Sequence, residues 1–219
     1  VYAAPEIDAD ELRDFVAGAR EVSEAVDARY VGGDLDTLSE FSATTTALGR
    51  TDDPVRRSGA RPGDVLAVTG TLGRSGAALR LFERGDRDRA NELFRFEPRV
   101  AAGRALAPHA TAMMDSSDGL ARAVHQLAEA SKCGFDLDGD AVPVAESVSE
   151  VADDDAEERR LSTFFGEDFE LVVTLPEDAV ATAREASPVP LTVVGEVTED
   201  GVRMDGDPLP DRGYTHGQE

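Results

Sequence analysis

Residues 115–118 read Asp-Ser-Ser-Asp, so two carboxylates and two hydroxyls occupy four consecutive positions. The apolar run that ends at Met114 predicts a short buried strand, and the apolar spacing over residues 120–127 predicts a helix directly afterwards. The four polar side chains therefore precede the first turn of a helix, an arrangement that can hold a metal-bound phosphate. Helix capping is the alternative interpretation, although a cap needs only one such side chain.

Three further segments offer candidate chemistry. Gly32-Gly33-Asp34 follows a predicted short strand, where glycines let a backbone approach a ligand and Asp34 adds a carboxylate, but a plain turn explains them equally well. Residues 70–76 place three glycines between a strand and a helix, with a spacing that differs from the dinucleotide-binding fingerprint and favours a packing turn. Residues 165–171 read Phe-Gly-Glu-Asp-Phe-Glu-Leu, and acids before a strand are usually solvated.

The lysine count excludes two classes of nucleotide-binding site. The chain has one lysine, Lys132, so it contains neither the Gly-Lys-Ser/Thr of a phosphate-binding loop nor the strand lysine of protein kinases. A bound nucleoside triphosphate would have to be neutralised by arginine and by Mg²⁺ held on aspartates. Because Mg²⁺ prefers oxygen ligands and keeps several waters, Asp34, Asp115 and Asp118 are the candidate metal ligands.

Charge and composition limit the partners. The chain carries 45 Asp and Glu against 22 Lys and Arg, a formal net charge of -23. Such a surplus repels nucleic acids and anionic membranes, and it predicts a salt-rich cytoplasm in which the repulsion is screened. No apolar stretch reaches the roughly 18 residues of a membrane span, no leader is present, and the single Cys133 fits a reducing compartment. We therefore expect a cytoplasmic protein that binds neither nucleic acid nor membrane.

Strands and helices alternate along the 219 residues without internal repeats, so the pattern predicts an α/β or α+β fold. The turn-rich segment 51–63 separates two expected domains, residues 1–53 and residues 54–219. The first of these shows too few elements to enclose a core. We therefore expect it to be the remainder of a longer N-terminal domain, completed by upstream chain or by another subunit.

The individual elements follow from periodicity. In the first block we predict a helix over 8–28 and strands at 29–31 and 40–50. In the second block we predict strands at 64–69, up to Met114, and at 134–138, 169–175, 191–197 and 201–204. The first helix predicted there ends near Arg84. The others span residues 88–95, 98–107, 119–132, 144–151, 156–164 and 177–186.

Five motifs, in this order along the chain, resemble those of the thiamine-monophosphate kinase family. They are Gly32-Gly33-Asp34, residues 57–64 (Arg-Ser-Gly-Ala-Arg-Pro-Gly-Asp), residues 115–120 (Asp-Ser-Ser-Asp-Gly-Leu), residues 166–171 (Gly-Glu-Asp-Phe-Glu-Leu) and Gly213-Tyr214-x-His216. The last two are much more specific to this family, whereas the 115–120 element is shared in weaker form with aminoimidazole ribonucleotide synthetase and selenophosphate synthetase. The resemblance runs over essentially the whole chain.

The resemblance implies a two-domain aminoimidazole ribonucleotide synthetase-like fold that forms homodimers through an ATP-binding N-terminal domain. It also implies Mg²⁺-dependent phosphorylation of thiamine monophosphate to thiamine diphosphate by ATP. By position, ATP would contact Gly33, Asp34, Arg57 and Ser117; Mg²⁺ would be bound by Asp34, Asp115 and Asp118; and thiamine monophosphate would contact Glu167 and Tyr214. No side chain is expected to form a covalent intermediate, because phosphoryl transfer needs mainly positioning and charge neutralisation.

Two departures from the family pattern keep alternatives open. The family's acidic motifs that precede the helix at 8–28 are absent from this chain, and Gly217 stands where the family places an aromatic residue after the histidine. Within the superfamily, an aminoimidazole ribonucleotide synthetase-like ligase is the alternative. From another class, a fragment that keeps residues 115–120 could bind a nucleotide without catalysis.

Overall fold

The structure, a computed structural model, describes residues 2–3 and 8–213. The chain divides into two compact units, Val1–Pro54 and Val55–Glu219. Within the described residues, every helix is too short or too polar to cross a membrane.

The first unit contains helix α1 (Ala9–Ala25) and three two-residue strands, β1 (Tyr2–Ala3), β2 (Leu35–Asp36) and β3 (Ser42–Ala43), in the order β2-β1-β3. Helix α1 begins after Asp8, whose side chain accepts a hydrogen bond of 2.6 Å from the amide of Asp10. Its apolar stripe is at most half-buried. The helix predicted at 8–28 is therefore present, but within the described residues it buries no side chain.

Two strand predictions for the first unit need correction. The strand predicted at 29–31 is wrong, because the pairing forms after the two glycines, at Leu35–Asp36. The strand predicted at 40–50 is reduced to Ser42–Ala43. Alternating apolar residues indicate where a strand can form, but the position of the partner backbone decides where the hydrogen-bonded ladder runs.

The second unit is built on a seven-stranded sheet. Its strands are β4 (Asp64–Thr69), β5 (Ala112–Asp115), β6 (Gly134–Leu137), β7 (Leu171–Pro176), β8 (Leu191–Thr198), β9 (Val202–Met204) and β10 (Asp207–Pro208). They lie in the order β10-β9-β6-β8-β4-β7-β5, and all neighbours are antiparallel except β6 and β9. Strand β7 thus lies between β4 and β5, and Asp115 at the end of β5 pairs with Leu171 at the start of β7.

Helices cover both faces of this sheet. They are α2 (Arg74–Glu83), α3 (Arg87–Leu93), α4 (Val100–Leu106), α5 (Leu120–Ser131), α6 (Glu146–Ser149), α7 (Asp155–Arg160) and α8 (Val180–Ala186). Short 3-10 turns lie at Gly139–Ala141 and Glu177–Ala179, and a π-helical turn at Leu161–Phe165 follows α7 directly.

The central strand β4 shows why the sheet needs two covering layers. Leu66 and Val68 are fully buried and pack into the core beneath α5, whereas Ala67 between them packs into a second core with residues of α4 and α8. Because successive side chains of a strand point to opposite faces, an uninterrupted apolar run requires apolar cover on both sides. A third cluster joins α2, α3 and α6 around Leu161.

The predicted mixed α/β class is confirmed, and most elements of the second unit fall within a few residues of their predicted bounds. Strand β4 has the predicted bounds. Strand β10 is missed because two residues carry no detectable periodicity. The helix predicted over 156–164 ends as an α-helix at Arg160, where the backbone changes to the π turn.

Gly195 in β8 offers a test of how closely this sheet is packed. A Cβ there would lie 2.3 Å from the carbonyl oxygen of Asp136, a backbone atom of the neighbouring strand. We expect Gly195→Ala to lower the free energy of unfolding by about 1–3 kcal/mol, measured by denaturant titration, because strand β6 must move away.

Gly103→Ala in α4 is the matched control. The added methyl group would meet only a side-chain carbon of Leu171, at 3.5 Å. Replacing a helical glycine by alanine should stabilise the protein by up to about 1 kcal/mol. Equal stabilities of the two variants would show that β6 and β8 are not in close contact at Gly195.

Candidate functional site

The segment 115–120 connects the end of β5 to the start of α5. The residue at the helix N-cap is Gly119, with φ 100° and ψ 156°, and no side chain caps it. Gly119 instead donates its amide to the carbonyl of Ser116 at 3.0 Å, and Asp115 accepts a 3.3 Å hydrogen bond from the amide of Ser117. Helix capping therefore does not explain the polar side chains. They precede a helix N-terminus whose first-turn amides have no intrahelical partner.

The motif at 166–171 lies directly against this segment. Ser116 is 1% exposed, and its amide donates to the carbonyl of Glu170 at 2.8 Å while its hydroxyl accepts from the Glu170 amide at 3.2 Å. The amide of Glu167 donates to the carbonyl of Ser117 at 2.7 Å. These three hydrogen bonds hold the two motifs together as one structural site.

Gly166 allows this close approach. Its φ is 84°, and a Cβ there would lie 2.4 Å from the carbonyl oxygen of Ser117 and 2.6 Å from the amide nitrogen of Gly119. Any other residue would both strain the backbone and push the two motifs apart. Gly213 also lies close to this turn, since a Cβ there would lie 2.1 Å from the carbonyl oxygen of Asp118.

Side chains of the 166–170 loop alternate between the interior and the surface. Asp168 and Glu170 are buried, at 7% and 4% exposure, whereas Glu167 is half-buried and Phe169 is 42% exposed. Glu167 and Phe169 both have positive φ angles, 60° and 53°. Such angles are unfavourable for residues other than glycine, so the surroundings must hold them.

Asp168 is held by the start of helix α2. Its carboxylate accepts from the amide of Gly73 at 2.6 Å and from the amide of Ser75 at 2.9 Å, so it caps a helix that has no cap of its own. Burial raises the pKa of Asp168 to about 6, although these two amides favour the ionised form.

The glycines at 70–76 serve this arrangement as a packing turn. A Cβ at Gly73 would lie 2.7 Å from a methyl group of Val148, and one at Gly76 would lie 2.8 Å from a methyl group of Leu161. Gly70 faces the carboxylate of Glu170. The interpretation of this segment as a packing turn, and not as a phosphate cradle, therefore agrees with the geometry.

An aromatic row continues from the loop. The ring of Phe169 meets that of Phe96 edge to face at 5.5 Å, and Phe96 meets Phe94 at 6.2 Å. The guanidinium of Arg74 lies 4.7 Å from the centre of the Phe96 ring. An exposed aromatic ring thus stands two residues from Glu167.

Several residues of the site were not assigned a role from sequence. The sequence predicts solvated acids before the strand, whereas Asp168 and Glu170 are buried. Ser116 belongs to the predicted polar turn, but its hydrogen bonds to Glu170 are not predicted. No two-residue strand period predicts this arrangement, because Glu167 and Phe169 adopt left-handed backbone conformations, with φ angles of 60° and 53°. The buried partners of these carboxylates are distant in sequence, so no local pattern revealed them.

The other predicted site residues lie elsewhere. Arg57 has an exposed side chain, and its carbonyl accepts from the hydroxyl of Ser131 at 3.2 Å, at the opposite end of α5 from residues 115–118. Gly33 and Asp34 belong to the first unit, where both are exposed and Asp34 accepts from the amide of Leu35 at 3.0 Å. Tyr214 lies outside the described residues.

The donor set of the 115–118 turn suits Mg²⁺ bound together with a phosphate. Across residues 2–3 and 8–213, no group of three or more His, Cys, Asp or Glu side chains is arranged to hold a metal ion by itself. Mg²⁺ is commonly bound through only one or two carboxylates together with substrate phosphates and water. The half-buried carboxylates of Asp115 and Asp118 fit that pattern.

Comparison with known proteins identifies the family. Residues 61–206 match the sequence profile of the AIR synthase related protein, C-terminal domain. The chain is 59% identical, over 98% of its length, to the thiamine-monophosphate kinase of Halobacterium salinarum, of which it covers 74%. The chain belongs to the thiamine-monophosphate kinase family.

Solved structures agree with membership of the thiamine-monophosphate kinase family. The enzyme of that name from Stenotrophomonas maltophilia has a TM-score of 0.82 and 27% identity to this chain, with 94% of this chain and 71% of that one covered. The structure of AaThiL complexed with AMPPCP and TMP has a TM-score of 0.80 at 23% identity, covering 99% and 72%, and shows the same fold.

The buried carboxyl of Asp168 predicts a pH effect on stability. Since the pKa is raised in the folded state, the stability that it contributes is complete below its unfolded value of 3.8 and is lost as the pH rises through about 6. We therefore compare the free energies of unfolding of the wild type and Asp168→Asn by denaturant titration. The advantage of the wild type over the variant should shrink by about 2 kcal/mol between pH 4.5 and pH 7.5.

Asp154→Asn controls for the loss of one negative charge. Asp154 also caps a helix, accepting from the amide of Glu157 at 2.8 Å, but it is solvent-exposed. A gap for Asp168→Asn that stays constant or widens with pH would contradict the assignment of a raised pKa to this carboxyl.

Proposed function

We propose that this protein phosphorylates thiamine monophosphate to thiamine diphosphate with ATP. The observation that carries the proposal is the direct hydrogen bonding of the 115–118 turn to the loop that presents Glu167, in a chain of the thiamine-monophosphate kinase family. One segment offers carboxylates suited to a metal-bound phosphate, and the other offers an anionic and an aromatic side chain suited to a cationic ring. A kinase must hold the metal-bound phosphate of the donor next to the substrate that accepts the phosphoryl group.

The nucleotide side of the site uses charge neutralisation. We assign Mg²⁺ to Asp115 and Asp118 and ATP to Ser117. Asp34 as a ligand of Mg²⁺ and ATP, and Gly33 and Arg57 as ATP contacts, stay predictions from the sequence motifs. Bound Mg²⁺ supplies the positive charge that the transferring phosphoryl group requires. The first-turn amides of α5 and the hydroxyl of Ser117 would orient phosphate oxygens. The side chains position and neutralise the reactants and form no covalent bond with them.

The substrate side of the site uses Glu167 and Tyr214, to which we add Phe169. The carboxylate of Glu167 matches the cationic thiazolium or the aminopyrimidine of thiamine, and an aromatic ring can stack on either. Phe169 fits this role because its ring is exposed. In the sequence, only the buried Asp168 separates it from Glu167. The neighbouring structure complexed with AMPPCP and TMP supports a site for both reactants on this fold.

Three further features belong to the proposal. We infer a homodimer, because the small sheet of the first unit has two-residue strands and α1 keeps a partly exposed apolar stripe. We infer salt adaptation from the net charge of -23, and the similarity to a Halobacterium protein supports it. A cytoplasmic location stays a prediction from the sequence.

Two other functions compete with the kinase. A ligase like aminoimidazole ribonucleotide synthetase would use the same fold and a similar 115–120 segment, as the matched domain profile indicates. A protein that binds nucleotide without catalysis would keep the same segment. The Glu167 and Phe169 pair favours the kinase, because a ribonucleotide has no cationic ring for these side chains to bind.

A direct assay tests the proposal. The natural polypeptide that carries this sequence, incubated with ATP, Mg²⁺ and thiamine monophosphate, should form thiamine diphosphate and ADP. Activity should rise from dilute buffer to molar KCl, because the screening length falls from about 30 Å at 0.01 M to about 3 Å at 1 M salt. Turnover of aminoimidazole ribonucleotide precursors without turnover of thiamine monophosphate would favour the ligase, and ATP binding without turnover the non-catalytic protein.

Single substitutions test the metal assignment. Asp115→Asn or Asp118→Asn should weaken Mg²⁺-dependent ATP binding by at least about tenfold in calorimetry, since each removes an anionic ligand. The metal-free variants should keep their thermal stability, because neutralising one of two nearby carboxylates relieves repulsion. Asp178→Asn, at the exposed turn after β7, is the control. Normal Mg-ATP binding by both variants would reject the assignment of these carboxylates as Mg²⁺ ligands.

A further inference from the structure

We propose that Arg99 and Glu170 are positioning residues of the site, and that their buried ion pair holds Glu167 in place for thiamine monophosphate. The inference rests on the proposed function. Neither residue faces the substrate side of the loop, so the pair acts through the backbone between Glu170 and Glu167.

The ion pair has two-point geometry. Nε of Arg99 donates to Oε2 of Glu170 at 2.7 Å, and Nη2 of Arg99 donates to Oε1 of Glu170 at 2.7 Å. The side chains are 16% and 6% exposed. A planar guanidinium that meets both carboxylate oxygens fixes the orientation of the carboxylate as well as its position.

Other contacts complete the enclosure of this carboxylate. The hydroxyl of Thr69 donates to Oε2 of Glu170 at 2.7 Å and accepts from the amide of Leu171 at 2.8 Å. Gly70, with φ 57°, leaves the space that the carboxylate occupies, because a Cβ there would lie 2.2 Å from Oε1. Glu170 is therefore fixed through its side chain from one side of the loop.

The backbone of Glu170 is fixed from the other side. Its amide and its carbonyl are both bonded to Ser116, next to Ser117 of the nucleotide segment. Glu170 thus links the predicted ATP side of the site to the end of the loop that carries Glu167.

The loop between these anchors is conformationally unfavourable. Gly166, Glu167 and Phe169 have φ angles of 84°, 60° and 53°. Two of the four non-glycine residues at 167–170 therefore have a left-handed backbone conformation. Such a conformation persists only where the surroundings over-determine it. The anchors are Gly166 packed on Ser117, Asp168 bonded to α2, and Glu170 bonded to Arg99.

Arg99 is the most distinctive of these anchors. Removing two-point contact at Glu170 should let Phe169 relax to negative φ, and Glu167 would then move away from its present position. A buried ion pair contributes little net stability compared with apolar packing, so a structural role alone is a weak reason for this one. Its place at the end of a strained, substrate-facing loop is a stronger reason.

Arg99→Lys tests the proposal, because lysine keeps the charge and loses the two-point contact. In the natural polypeptide, we expect the KM for thiamine monophosphate to rise by about tenfold while the KM for ATP changes by less than about twofold. In a Glu167→Gln background, Arg99→Lys should raise the KM for thiamine monophosphate no further, because the residue through which it acts is already altered.

Arg80→Lys is the matched control. Arg80 contacts Glu157 through Nε and Nη2, in a pair on the surface of α2 away from the loop. This variant should leave both KM values unchanged. Glu170→Gln, which keeps the shape of the side chain and removes its charge, provides a second variant and should reproduce the selective rise in KM.

Several results would overturn the proposal. They are an unchanged KM for thiamine monophosphate, an equal rise for both substrates, effects of Arg99→Lys and Glu167→Gln that simply multiply, or failure of both Arg99→Lys and Glu170→Gln to fold in molar salt. Any of these would assign the pair to structure alone. Absence of thiamine monophosphate turnover in the wild type would instead reject the proposed function.

Discussion

The burial of two carboxylates, Asp168 and Glu170, is the constraint on which the site depends. Each buried charge needs specific donors: Asp168 takes the amides at the start of α2, and Glu170 takes Arg99 and Thr69. Glu167 and Phe169, before and between these two acids, hold left-handed backbone conformations that leave Glu167 half-buried and Phe169 42% exposed. Such conformations persist because the two buried carboxylates are fixed by their donors.

The same constraint explains the glycines around the site. Gly70 makes room for the carboxylate of Glu170, Gly73 lets the start of α2 pack against Val148, and Gly166 lets the loop lie on the 115–118 turn. Replacing any of them would separate elements that must touch. Of the 45 acidic residues in the chain, three are buried within the described residues, Asp64, Asp168 and Glu170, and the last two lie where the proposed substrate and nucleotide sides meet.

Family membership and site geometry make different contributions to the functional conclusion. A shared fold does not determine a substrate, since related proteins use one scaffold for different chemistry. What favours the kinase is the direct hydrogen bonding, within the second unit, of a carboxylate-bearing turn to a loop that carries an acid and, two residues later, an exposed aromatic ring. The first unit, which carries Gly33 and Asp34, contributes to the proposal through sequence motifs.

The sequence by itself determined the local features of this protein: the mixed α/β class, the bounds of β4, the strand-to-helix turn at 115–120, and the five motifs of the family. These depend on residue type and on short periodicities. Only the tertiary structure decided the sheet order, the pairing of Asp115 with Leu171, and the partners of the buried acids. Asp168 finds its amide partner 95 positions away and Glu170 its arginine 71 positions away. No local pattern encodes such contacts, because a buried charge is satisfied by whatever donor the folded chain brings to it.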